Sequence, residues 1–292
     1  MSNQKKIIIY PNAERDIGFV MARKVGQILK EHGRLTAFCP LFDDCAAVQI
    51  PPHGYEPAEL ENEIPGAEMI ITIGGDGTIL RAARAAAELS VPILGINLGG
   101  KGFLAELEAD DISLIGAAAL GSYKLESRMM LDVEVIRDGE TVLTDFALND
   151  IVIKGGNKVI DLKLYGDGQL ITHFSGDGTV IATPTGSTAY SMAAGGPIVE
   201  EAAHNIIVTP ICAHVLKAKS IVLVSDRRVT VELGQRKRNP AYMSADGGEH
   251  TAIRSGDLIN VKKSGRYTSL VRLSSRSYYK KVSDKLGEKI ES

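Results

Sequence analysis

Residues 69–89, "MIITIGGDGTILRAARAAAEL", constrain this chain more than any other stretch. An apolar, β-branched run reads as a buried strand, and the alanine-rich segment after it as a helix. Between them stand Gly74, Gly75, Asp76, Gly77 and Thr78. A strand that ends in glycines and opens a helix lets backbone N–H groups approach an anion, and the helix adds the positive end of its dipole. The expectation is a phosphate cradle in an α/β layer. No Gly-Lys-Ser/Thr follows, and the dinucleotide fingerprint G-x-G-x-x-G has no obligatory central acid. Asp76 therefore needs its own account. A carboxylate repels phosphate, so it reads as acting on an acceptor hydroxyl or on a magnesium ion that bridges donor phosphates. The plainer reading is a turn that Asp76 or Thr78 caps.

The pattern around this stretch changes near residue 128. Before it, "KIIIY", "RLTAF", "MIITI" and "VPILGIN" alternate with helical segments such as "DIGFVMARKVGQILKEHG". That alternation predicts an α/β domain with a largely parallel sheet over 1–127. After it, paired runs flank Arg137-Asp138-Gly139 and Gly166-Asp167-Gly168, predicting an all-β, sandwich-like domain over 128–273. Tyr278, Val282 and Leu286 then recur at helical spacing, and 274–292 read as a C-terminal helix that packs back on a domain. Residues 40–65, rich in proline, read as a long surface loop.

Composition narrows the function classes. The 292 residues carry a formal charge of −3 with no long basic arm, which argues against nucleic acid as a partner; "RKR" at 236–238 reads as a solvated hairpin tip. The apolar run "IIIY" near the start is too short for a signal core or a membrane span, so a cytoplasmic protein with no membrane partner is expected. Cys39, Cys45 and Cys212 form no C-x-x-C pair and read as small buried residues. The six histidines have no zinc-type spacing, and no protein-held metal is expected.

A second glycine-rich block, "FSGDGTVIATPTGSTAYSMAAGGPI" at 174–198, repeats Gly-Asp-Gly-Thr, here followed by a strand-like run. Its hydroxyls at Thr183, Thr185, Ser187 and Thr188 can hydrogen-bond a base edge or a ribose, and Tyr190 can lie against a planar ring. They serve equally as caps and turn residues. The segment "GINLGGKGFLAEL" at 95–107, with Asn97 after a strand, reads either as a second wall of the phosphate site with Lys101 as an anion contact, or as a tight connection whose Phe103 and Leu104 pack into the core.

Taken in order, "GGDGT", "GINLGGKGFLAEL", "LNDIVI" at 148–153 and "DGTVIATPTGSTAYSMAAGGPI" at 177–198 closely resemble the NAD kinase family. The resemblance implies phosphoryl transfer from ATP or polyphosphate to the 2′-hydroxyl of the adenosine ribose of NAD, with Mg2+ accompanying the donor. It implies a site between the two domains, and a last helix that returns to the first. Asp76 is implied as general base, with Gly74, Gly75, Gly77 and Thr78 at the donor phosphates. Asn149 is implied at the adenine edge and Asp150 at ribose hydroxyls. Thr188 and Ala189 would hold the adenine, with Asp177 and Tyr190 toward the nicotinamide end. Asp246-Gly247-Gly248 would border the nucleotide, and a homodimer or homotetramer is implied. Most members have Asn-Glu where this chain has Asn149-Asp150, one methylene shorter. A lipid kinase of the diacylglycerol or sphingosine type also shares "GGDGT", but "ILRAAR" follows it here, and such a kinase has no place for "TPTGSTAY". A non-catalytic NAD-binding regulator would leave Asp76 idle.

Overall fold

The computed structural model describes residues 5–42, 56–100, 102–214, 218–234 and 240–273, together with 278, 282, 283 and 287. The chain divides into two compact units, Met1–Ser127 with Thr268–Ser292, and Arg128–Tyr267.

In the first unit four parallel strands lie side by side in the order Thr36–Phe38, Lys6–Pro11, Ala67–Gly74 and Ile93–Asn97. Leu107–Glu108 and Leu270 join the last of them, also in parallel. Met69, Ile70, Ile71 and Ile73 are all fully buried. A parallel strand covered on both faces needs such an uninterrupted apolar run. The helix Val20–Glu31 packs on the sheet through Met21, Ala22, Val25 and Leu29, at the spacing of one helical face. The helix Asp76–Ala86 buries Thr78, Ile79, Ala82, Ala83 and Ala86, and its small side chains let it lie close to the strands. Within the expected long loop, Leu60–Glu63 forms a short helix, because Leu60 and Ile64 have core to fill.

The second unit is antiparallel. Two of its hairpins turn at Asp138-Gly139 and Asp167-Gly168, each pair having positive φ at both residues. A two-residue turn of that kind matches strand twist, and aspartate followed by glycine tolerates it. One sheet contains Gln169–Gly176, Ile160–Gly166, Val229–Leu233 and residues 258–261. The other runs Ile221–Val224, Asn205–Ile211, Gly178–Ala182, Asp150–Gly155, Ala241–Ala245 and Thr251–Ile253. Leu162, Leu164 and Ile259 from the first share a core with Ile151, Ile153, Ile181 and Met243 from the second, which makes the unit a sandwich. On the outer face of the second sheet Val152, Val180 and Ile207 are covered by Ala194 and Val199.

The expected helix over 274–292 lies outside the described residues except at Tyr278, Val282, Ser283 and Gly287; the described chain that rejoins the first unit does so as a strand through Leu270. Lys101, Cys45 and the "RKR" tip at 236–238 also lie outside them. Cys39 is buried, and burial pushes its thiol up to about 12. Cys212 corrects the expectation of burial. It is exposed, with φ of 46° where the strand Asn205–Ile211 ends. Among the described residues no helix is long and apolar enough to cross a membrane.

Candidate active site

In the first unit the candidate site lies at the carboxyl ends of the strands. Ala67–Gly74 leads into Gly75, an extended N-cap, and the helix starts at Asp76. A Cβ on Gly74 would stand 2.4 Å from Thr78 Oγ1, so packing requires this glycine. Around the Cβ positions of Gly75 and Gly77 nothing lies within 4 Å. That open space is what a phosphate needs to reach backbone N–H groups at a helix N-terminus.

Asp76 does not cap its own helix. Its Oδ2 accepts the Phe103 N–H at 2.7 Å, and its Oδ1 accepts the Leu104 N–H at 3.1 Å. The glycine-rich segment 95–107 therefore grips the carboxylate, while the Phe103 and Leu104 side chains are buried. Arg272 steadies that segment: its guanidinium donates to the Leu104 carbonyl at 3.2 Å and to Glu126 at 2.6 Å. Sequence reasoning missed Arg272, since it lies 168 positions from Leu104 in the chain.

In the second unit the turn 148–150 is clamped by Asp246. Its carboxylate accepts the N–H groups of Leu148, Asn149 and Asp150 at 2.7, 2.6 and 3.2 Å, while its own N–H donates to the Asp150 carbonyl at 2.9 Å. Asp246 adopts φ of 51° to do so. Thr183 lies over the same turn, donating from N to the Asn149 carbonyl at 2.9 Å and from Oγ1 to the Leu148 carbonyl at 2.6 Å.

All four hydroxyls have partners within the protein, Thr188 donating to the Thr185 carbonyl at 3.3 Å, which is the cap-and-turn reading of this loop. Thr183 and Ser187 are spent on backbone groups, and Thr185 Oγ1 accepts from the fully buried Arg128 at 3.2 Å. Arg128 also pairs with Glu201. A loop must satisfy its buried polar groups before it can present others. Thr188, Ala189 and Asp177 are half-buried and Tyr190 is exposed. Glycines 176 and 178 flank Asp177 for reasons of packing: a Cβ would stand 2.8 Å from the Ile211 carbonyl oxygen and 2.1 Å from that of Ile153. The two Gly-Asp-Gly-Thr segments thus have different structural origins.

Asp150 is 4% exposed. Burial, aided by the Asp246 charge, pushes its carboxyl from an ordinary 3.8 up to about 7. A folded pKa above the unfolded one contributes stability that is fully present below pH 3.8 and lost as pH rises through about 7. Asp150→Asn removes this group, so its melting temperature falls less between pH 5 and pH 8 than that of the wild type. Thermal denaturation at both pH values checks this, and equal falls in the two proteins assign the pH dependence to other groups.

Residues 14–118 match a family model described as the ATP-NAD kinase N-terminal domain, and residues 148–273 one described as the ATP-NAD kinase C-terminal domain. The NAD kinase of Natranaerobius thermophilus is 37% identical over 289 residues, covering 97% of this chain and 98% of the relative. That of Ruminiclostridium cellulolyticum is 35% identical, covering 98% and 99%. The fold matches yeast NADH kinase complexed with NADH (TM-score 0.85, 21% identity, 100% of this chain and 90% of that one). It also matches an Archaeoglobus fulgidus NAD kinase in complex with ATP (TM-score 0.71, 23% identity, 96% and 98%).

Proposed function

The chain belongs to the NAD kinase family, and on that premise we propose that Asp76 is the general base for phosphorylation of the adenosine 2′-hydroxyl of NAD. The observation that carries this reading is the grip of two backbone N–H groups on Asp76 at the mouth of the glycine loop. The 2′-oxygen attacks the terminal phosphorus of ATP, a new O–P bond forms, and the bond from that phosphorus to the bridging oxygen breaks. NADP and ADP result, and the hydroxyl proton passes to Asp76. Gly74, Gly75, Gly77 and Thr78 form the donor loop, where the room above Gly75 and Gly77 supports phosphate approach. Asn149 and Asp150 take the adenine edge and ribose hydroxyls, with Thr188, Ala189, Asp177 and Tyr190 as further contacts. NADH in the yeast structure and ATP in the archaeal one support a dinucleotide acceptor and a triphosphate donor. Polyphosphate as a second donor, a cytoplasmic location and a homodimer or homotetramer complete the reading.

Among the described residues no three His, Cys, Asp or Glu side chains are grouped to hold a metal. Magnesium keeps several waters and is held largely by substrate phosphates, so an ion that arrives with the triphosphate needs no cage of protein side chains. When bound, that ion offsets the charge of the phosphate oxygens. Incubation with NAD, ATP and Mg2+ is expected to yield NADP, and excess chelator to lower the rate by at least about 10-fold. Absence of NADP formation by folded protein sinks the kinase reading; full activity in chelator removes only the metal from it.

A further inference from the structure

Leu104 links two groups that lie far apart in the chain. Its N–H donates to Asp76 Oδ1 at 3.1 Å, and its carbonyl accepts from Arg272 Nη1 at 3.2 Å. Arg272 ends the strand Leu258–Arg272, whose Leu270 lies beside Ile93 in the parallel sheet of the first unit. The same Nη1 donates to Glu106 Oε2 at 3.4 Å, while Nε donates to Glu126 Oε2 at 2.6 Å. Glu106 also accepts the Leu273 N–H on Oε1 at 3.0 Å. Residues 104 and 106 are thus fastened to 272 and 273 through both backbone and side chains. A guanidinium is a rigid fork of donors, so it can serve a carbonyl and two carboxylates in one fixed orientation. The Arg272 and Glu106 side chains are largely buried, where an ion pair holds its geometry against exchange with water.

We propose that Arg272 is a positioning residue for phosphoryl transfer: by holding the Leu104 carbonyl it fixes the peptide segment whose N–H groups orient the Asp76 carboxylate. This rests on the reading of Asp76 as the base. The helix Asp76–Ala86 fixes where Asp76 starts, but not where its carboxylate points. In the first turn of a helix a carboxylate has unpaired N–H groups of its own helix to turn toward. Asp76 is held away from them because Phe103 and Leu104 each donate to one of its oxygens, which sets the rotation of the group. A base must stand within hydrogen-bond reach of the proton that it takes, and a displacement of about 1 Å costs about 100-fold. Arg272 acts on that distance through Leu104. The buried Phe103 and Leu104 side chains hold the same segment, so Arg272 accounts for part of the positioning rather than all of it.

The test makes Arg272→Gln and Arg272→Lys, each alone and combined with Asp76→Asn, and measures kcat, KM for NAD and for ATP, and a melting curve on each. Arg272→Gln alone is expected to lower kcat by about 10-fold with both KM values within about 2-fold of wild type. On the Asp76→Asn background the same change is expected to move kcat by less than about 2-fold, because the group that it positions can no longer take a proton. A role confined to stability lowers the melting temperature and leaves the kcat of folded protein alone. Arg272→Lys keeps the charge near Glu106 and Glu126 but has one nitrogen in place of a fork, so it carries the same comparison should Arg272→Gln fail to fold. The proposal is overturned if every folded Arg272 variant keeps wild-type kcat, or if the loss is equally large with and without the Asp76 carboxylate. Failure of the base reading is seen separately, as an Asp76→Asn single variant that retains kcat.

Discussion

Asp76→Asn is expected to lower kcat by about 100-fold to 10,000-fold while NAD still binds, the range of a lost general base. A loose phosphoryl-transfer transition state depends mainly on positioning and electrostatics, yet the attacking hydroxyl must release its proton to something nearby. An amide cannot take it, so the loss falls on kcat rather than on affinity. The structure adds a second consequence. The two carboxylate oxygens accept from two different N–H groups, Phe103 and Leu104. An amide has one acceptor oxygen, so one of these donors loses its partner, at a cost of about 1–3 kcal/mol in stability. Turnover is therefore to be measured alongside calorimetric NAD binding and a melting curve on the same sample. Retention of more than about a tenth of wild-type kcat, outside the general-base range, would place the base elsewhere.

Gly186→Ala is expected to reduce kcat/KM for NAD by about 100-fold, the scale that a displacement of about 1 Å costs a positioned site. The added Cβ would stand 2.1 Å from the Asn149 carbonyl oxygen and 2.5 Å from its carbon. Both are backbone atoms, pinned by the Asp246 carboxylate on one side and by Thr183 on the other. They cannot swing aside as a flexible side chain can. The loop 183–189 must lift from the turn that carries Asn149 and Asp150, and the expected cost to stability is about 1–3 kcal/mol. The decisive observation is a raised KM for NAD with donor KM little changed. A variant with wild-type KM for NAD would show that neither loop touches the dinucleotide.

These experiments probe features that the sequence reveals to very different degrees. The parallel strands and the helix Asp76–Ala86 were legible because burial on both faces demands an apolar run and a helical face repeats with its own period. The hairpin turns were legible because φ above zero at two successive residues selects Asp-Gly from local sterics alone. The glycine-rich end of the strand Ala67–Gly74 and the helix that follows it were legible for the same kind of reason. The glycines there nevertheless serve different ends, Gly74 for packing and Gly75 and Gly77 for open space, and only the folded neighbours distinguish them.

What the sequence determined by itself, then, is the order of elements, the turn residues, and a carboxylate at the end of a glycine-rich strand. Each follows from forces acting within a few residues. The tertiary structure decided what surrounds that chemistry. Asp76 is held by N–H groups 27 and 28 positions away, and Asn149 by Asp246 across 97 positions. Thr185 receives its hydrogen bond from Arg128 across 57. The raised carboxyl of Asp150 needs both burial and the Asp246 charge, neither of which its sequence neighbours supply. Asn97 has its amide turned by Glu108 from a later strand. Hydrogen bonds and charges act through space, so partners brought together by the fold leave no periodic trace along the chain.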